Sequence, residues 1–189
     1  MAATSTDIVN EAINLIGDNQ AAVTGVAPTF DSSPAGKAAS ALYYPTVNAV
    51  ARQHGWDFAR NTVVLTSSGN TPPFPWSYEY VYPTNGVQIW QLLPASLTDA
   101  NNPLPVRWAV GNALVASVQT KVIWSNLASA SAYYNNAPGE ATWDALFRAS
   151  VVNLLARGLA LAINGKPDTA LRMLESTEMF TKLGEMRDS

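Results

Sequence analysis

The chain has 189 residues, enough for one domain that buries roughly 70% of its unfolded surface. Hydrophobic residues make up 48% of it and charged residues only 13%, against a usual globular share of roughly 25%, and the net charge is −3. That composition excludes an intrinsically disordered chain and an ordinary basic nucleic-acid-binding domain, and the absence of cysteine excludes disulfides, thiolate metal sites and a thiol nucleophile.

Helical periodicity begins over residues 7–17. Ile8, Ala12, Leu15 and Ile16 recur on one face, and Ile13 widens it. Thr4, Ser5 or Thr6 supplies the N-cap and Gly17 the stop. Residues 18–32 are polar, punctuated by Gly and Pro, and read as a loop. Ser33 then caps a second helix with Pro34 at its first position, where no N–H is needed. That helix reaches Gln53 or His54, and Gly55 stops it. Pro45 lies inside, and its missing N–H predicts a kink.

Beyond Trp56 the pattern becomes short aromatic and β-branched runs between prolines. Residues 76–82 and 87–92 alternate with period 2 on either side of Thr84-Asn85-Gly86, predicting a hairpin. Residues 106–110 and 114–118 predict a second hairpin about Gly111-Asn112, and residues 121–125 a further strand. Helices return at residues 143–163, capped by Thr142 and stopped at Asn164-Gly165. A last helix starts at Pro167 and runs to about Glu185. The two-residue turn between them predicts an antiparallel pair. The fold expected is α+β in one domain: an antiparallel bundle of about four helices (residues 5–55 and 140–187) with a small antiparallel β-sheet or hairpin extension inserted between helices 2 and 3, at about 62–136. No membrane segment is expected, since Asn153, Arg157 and Gly158 interrupt the longest apolar run. The first five residues lack the basic and apolar character of a signal peptide.

Catalytic chemistry finds little to stand on. His54 is the only histidine, at a predicted helix C-terminus, with no Ser/His/Asp or His/Cys set to join. No phosphate-binding glycine motif is present. Glu79, Asp99, Glu140 and Asp144 are the carboxylates available for a glycosidase pair. Of these, Glu79 alternates with Trp76, Tyr78, Tyr80 and Tyr82, which resembles a sugar-binding face and motivates the alternative reading, a glycan- or peptidoglycan-binding or hydrolysing protein. Glu140 and Asp144 stand at a helix start, where acids favour the dipole. Aromatics could also stack on bases, but only Arg107 and Lys121 offer charge in the strand region. The expectation is therefore no enzyme, no cofactor and no metal.

The distinctive stretch is Tyr43-Tyr44-Pro45-Thr46-Val47 followed by Gly55-Trp56-Asp57-Phe58-Ala59. It resembles the head-to-tail adaptors of tailed bacteriophages, the group of the tail tubular protein A of short-tailed phages. That group has an aromatic-x-Pro-Val helix leaving through Pro/Gly-Trp-x-Phe-Ala, then an aromatic strand of the kind seen at residues 76–83, then a helical pair. Arg60 stands where the group carries a run of basic residues, and Tyr44 where an acidic residue often precedes the proline. The resemblance implies a structural virion protein in the tail or neck, assembled in the host cytoplasm. It implies rings of twelve subunits under the capsid portal, extending the DNA channel and offering a platform for the tail. The implied partners are the portal protein, other copies of the chain and a downstream nozzle or tail-tube protein; DNA only passes through, and no membrane is involved. A long-tailed phage adaptor follows the same ring logic. Tyr43, Pro45, Val47, Gly55, Trp56 and Phe58 are expected to be structural. Docking to the portal is expected from the C-terminal segment, where Met179, Phe180, Leu183 and Met186 mix with Lys182 and Arg187. Leu171 and Leu174 serve the partner helix. Gly184 lowers helix stability by about 1 kcal/mol relative to Ala, so the last turn is expected to be loose.

Overall fold

The hydrophobic period changes from helical to alternating near Arg60, and in the computed structural model the chain divides there. It describes residues 3–17, 22–95, 106–136, 139–164 and 167–187. One compact unit comprises residues 1–59 and 137–189, the other residues 60–136.

The first unit is helical. Helix α1 (Ser5–Leu15) opens on a capping box: Thr4 accepts from the Asp7 N–H, and the Asp7 carboxylate accepts from the Thr4 N–H. Its buried stripe is Ile8, Val9, Ala12, Ile13 and Ile16; Leu15, expected on that stripe, is exposed. The expected loop at residues 18–32 contains a two-stranded ribbon, β1 (Gly25–Val26) and β2 (Thr29–Phe30). Asn10 holds it to α1 by bonding both the N–H and the carbonyl of Val23. Helix α2 (Pro34–Gln53) is capped by Ser33 as expected and buries Ala35, Ala39, Tyr43, Val47 and Val50. Pro45 sits on its exposed side, as does Ala41, whose carbonyl loses its helical donor. Water can satisfy that carbonyl, which is why the helix continues through a proline.

Helix α3 (Ala145–Leu159) is capped by Asp144, not Thr142: the Asp144 carboxylate accepts from the Leu146 N–H at 2.9 Å. A π-helical turn, Ala160–Asn164, extends it. Residues 145–163 are long and apolar enough to cross a membrane, contrary to expectation. Their place in the fold accounts for much of the composition, because α3 packs against α1, α2 and α4 (Pro167–Arg187) and buries Phe147, Val151, Val152, Leu155, Ala156 and Leu159. Arg148, on its exposed side, pairs with Glu11 at 2.6 Å. The expected turn at Gly165 and Lys166 lies outside the described residues.

The second unit is built of strands, and here the expected fold is corrected. Among the described residues the chain has eight strands in three sheets, not one small hairpin extension on a four-helix bundle. β3 (Arg60–Val64), β8 (Ala130–Asn135) and β5 (Gln88–Pro94) form one antiparallel sheet in the order β3-β8-β5. β4 (Tyr78–Val81), β7 (Val118–Ser125) and β6 (Trp108–Val115) form another in the order β4-β7-β6. Leu65, Tyr80, Tyr82, Ile89, Leu92, Ile123, Ala130 and Ala132 form one apolar core drawn from both sheets. A core this size needs two facing sheets; a lone hairpin could not bury it.

Both expected hairpins are re-paired. The turn at Asn85-Gly86 exists, with the Gly86 N–H donating to the Pro83 carbonyl at 2.9 Å. It passes the chain from one sheet to the other, since the Tyr82 N–H goes to the Lys121 carbonyl and the Val87 N–H to the Asn135 carbonyl. β4 has no edge left for β5, because residues 66–68 cover its other side. β6 runs straight through Gly111 and Asn112. The chain reverses at Ala116 and Ser117, which take φ of 47° and 68° and close a two-residue turn between Val115 and Val118.

Candidate functional site

Two features of the helical unit carry the residues singled out in the sequence. The first is an aromatic cluster at the exit of α2. Trp56 is fully buried and donates its Nε1–H to the Val50 carbonyl at 3.1 Å. Its ring meets Phe147 edge-on at 5.2 Å; Phe58 meets Phe147 at 5.1 Å, and Trp143 meets it at 4.9 Å. His54 ends α2 with its ring edge-on to Trp56 at 5.2 Å. Val47 and Tyr43 are buried about two and three turns earlier in α2, and Gly55 is half-buried just after it. Tyr43 donates its hydroxyl to Glu140 at 2.8 Å. Burial, and then the Glu140 carboxylate, push that hydroxyl well above the usual phenol range, so it stays a donor. The Tyr-x-Pro-x-Val and Gly-Trp-x-Phe-Ala residues thus belong to one packed body, apart from Pro45 on its surface.

The second feature is helix α4. Thr177, Thr181 and Gly184 face inward, and Thr181 donates to Gln53 at 3.0 Å. A Cβ at Gly184 would come within 2.6 Å of the Trp56 ring. The glycine therefore lets the helix close over the indole. Helix α4 continues past it to Arg187. The outer face carries Met179 (53% exposed), Lys182, Leu183 (43%) and Met186 (77%). Phe180 lies half-buried between the two faces. Among the described residues, Met179, Leu183 and Met186 point out while Thr177, Thr181 and Gly184 point in. Arg187 closes the helix; its side chain, and those of Leu171, Met173 and Leu174, lie outside the described residues.

Carboxylate chemistry has a different geometry from the one the sequence pattern evoked. Glu79 is buried in the strand unit. Its Oε1 accepts from Ser68 and Asn70, each at 2.8 Å, and its Oε2 accepts from the Trp124 indole at 2.7 Å. Burial pushes this carboxyl up; the bonds from Trp124, Asn70 and Ser68 outweigh it and hold the group below the ordinary carboxylate range. A general acid needs the opposite shift. Tyr80 and Tyr82, on the supposed sugar face, lie in the core. Glu79 instead fastens residues 68–70 over Trp124, a role that alternation alone does not reveal. Glu140 is committed to Tyr43 and Asp144 to the α3 cap. Asp99 lies outside the described residues. Among the described residues no group of three His, Asp or Glu side chains is placed to hold a metal.

In comparisons with known proteins, no family model and no curated protein matched the chain.

Proposed function

We propose that this chain is a head-to-tail adaptor of a tailed phage: a structural virion protein that forms a ring under the portal, lets DNA pass and presents a platform to the next tail protein. The reading rests on the resemblance of residues 43–47 and 55–59 to that group and on their packing into one body. The observation that carries it furthest is the outer face of α4. Met179, Leu183 and Met186 form an exposed apolar stripe beside Lys182. Methionine adapts to irregular partner surfaces, and an exposed stripe of this kind fits a protein interface better than bulk water. The low charge fraction agrees with a subunit that is covered on several sides.

The test is binding to the portal ring, followed by electron microscopy of the complex. Wild-type protein is expected to add a ring of density beneath the portal. The triple variant Met179→Ser, Leu183→Ser, Met186→Ser alters only exposed side chains, so it should keep its melting temperature and lose portal binding. Equal binding by the variant would place the docking surface elsewhere, and absence of any complex with wild-type protein would overturn the adaptor reading.

A further inference from the structure

Between Arg60 and Glu79 the chain carries no charged residue. Within that stretch the loop at residues 71–75 holds a side chain that the fold does not use: Phe74 is 98% exposed. The loop backbone is nevertheless tied down. On one side the Asn70 amide donates to Glu79 at 2.8 Å and to the Leu114 carbonyl at 3.0 Å. On the other, the Trp76 N–H donates to the Pro73 carbonyl at 3.0 Å, and the Ser77 N–H to the Asn126 side-chain oxygen at 2.9 Å. Pro72, Pro73 and Pro75 fix three φ angles between these ties. A ring presented on a stiff loop loses little freedom when a partner buries it, and aromatic anchors of this kind carry much of the binding at interfaces.

At the far end of β4 the same unit has a place for such a ring. Leu65, Val81, Tyr82, Pro83 and Tyr134 give an open groove of about 450 Å³ a mainly apolar and aromatic lining. Thr66, Thr84 and Asn85 add two hydroxyls and an amide. Among the described residues no charged side chain lines it. A few polar groups in an apolar pocket are what fix the orientation of an apolar guest. These polar groups suit the loop in particular. Proline has no N–H, so residues 72–75 offer carbonyl oxygens and a single N–H, that of Phe74. The Asn85 amide and the threonine hydroxyls are donors for those oxygens, whereas a charged segment would find no counter-charge. In its own copy the loop is tied at the start of β4, away from the groove, and Phe74 stays in water.

We propose that this groove receives Phe74 of a second copy, with the proline carbonyls of the loop bonded at its polar positions. Each copy carries one loop and one groove at different ends of β4, so the contact is head-to-tail and repeats into a closed ring or a filament. One ring buries roughly 150–250 Å², against about 1,200–2,000 Å² for a stable interface. Phe74 is therefore the anchor of a weak, concentration-dependent association. The contact stands on the strand unit and does not rest on the adaptor reading.

Two full-length variants separate its halves. Phe74→Ala removes the anchor and keeps the groove. Val64→Glu combined with Asn85→Asp places carboxylates at two exposed positions of the groove and keeps the anchor; Asp-Gly serves a turn as Asn-Gly does. Both proteins should melt at the wild-type temperature. In sedimentation near the solubility limit, wild-type protein is expected to exceed the monomer mass of 20.2 kDa and to grow with concentration, while each variant alone stays at that mass. An equal mixture of the two variants has one usable anchor and one usable groove per pair. It is expected to reach twice the monomer mass and stop. A monomeric wild type, Phe74→Ala protein that associates as wild type does, or a mixture that stays monomeric would each overturn the proposal. None of these outcomes bears on portal binding through α4, so this contact and the adaptor reading fail separately.

Discussion

The helical and strand units solve the same burial problem and leave different surfaces behind. In the helical unit α4 exposes Met179, Leu183 and Met186, while Thr177, Thr181 and Gly184 take the inward positions, Thr181 against Gln53 and Gly184 against Trp56. In the strand unit the two sheets bury one core, and residues 66–68 cover the outer side of β4. The exposed apolar side chains Val64, Leu114 and Val118 stand on its strands.

The largest expected effect breaks the helical unit. Trp56→Ala removes a fully buried ring that touches Phe147, Phe58 and His54 and covers Gly184, and should cost about 3–5 kcal/mol. Thermal or denaturant unfolding followed by the helical circular-dichroism signal checks this. A variant that unfolds like wild type would mean that the cluster does not anchor the unit.

A smaller effect probes the strand unit. A Cβ at Gly111 would overlap the Trp124 ring, which is pinned from the other side by its bond to Glu79. Gly111→Ala should therefore cost about 1–3 kcal/mol, the usual range for overpacking. The cost should be read in tryptophan fluorescence during denaturant unfolding. If Gly111→Ala is neutral, Trp124 swings away freely and the Glu79 clamp is weaker than its geometry implies.

The smallest effect is acid sensitivity, and it compares the two units directly. Asp31 ties the β1–β2 ribbon to the start of α2 by accepting from Ser33 and Thr24, which lowers its carboxyl from 3.8 to about 2. Glu79 is lowered as well. Both folded-state values lie below the unfolded ones. Their stabilisation is thus fully present above the ordinary carboxylate range and is lost as pH falls through the depressed values. For Asp31 that window runs from 3.8 down to about 2. Asp31→Asn should flatten this part of the stability curve. Glu79→Gln should flatten the limb in the same direction, through loss of the bonds from Trp124, Asn70 and Ser68. An acid limb that neither variant alters would show that these two carboxylates do not set the acid sensitivity.

Local chemistry was enough to place most helices. The Ser33 cap, Pro34 at the first position and the stop near Gly55 are set by neighbours within a turn, and α2 follows them. The strands of the second unit were legible as alternating runs near residues 78–81 and 88–94, but their partners were not. Pairing depends on which edge is still open when two strands meet, and residues 66–68 had already closed that of β4. The Gly111-Asn112 dipeptide looked like a turn, whereas glycine is needed there for the approach of Trp124, ten or more residues away. Gly184 looked like a weak helix end for the same reason: its environment is Trp56, from another helix exit. The Met179, Lys182, Leu183 and Met186 stripe was visible as residue types, but which side faced out was settled by what Trp56 required of α4. Sequence by itself determined periodicity, caps and composition, because those act over a few residues. The tertiary structure decided pairing and facing, because each depends on a partner far along the chain.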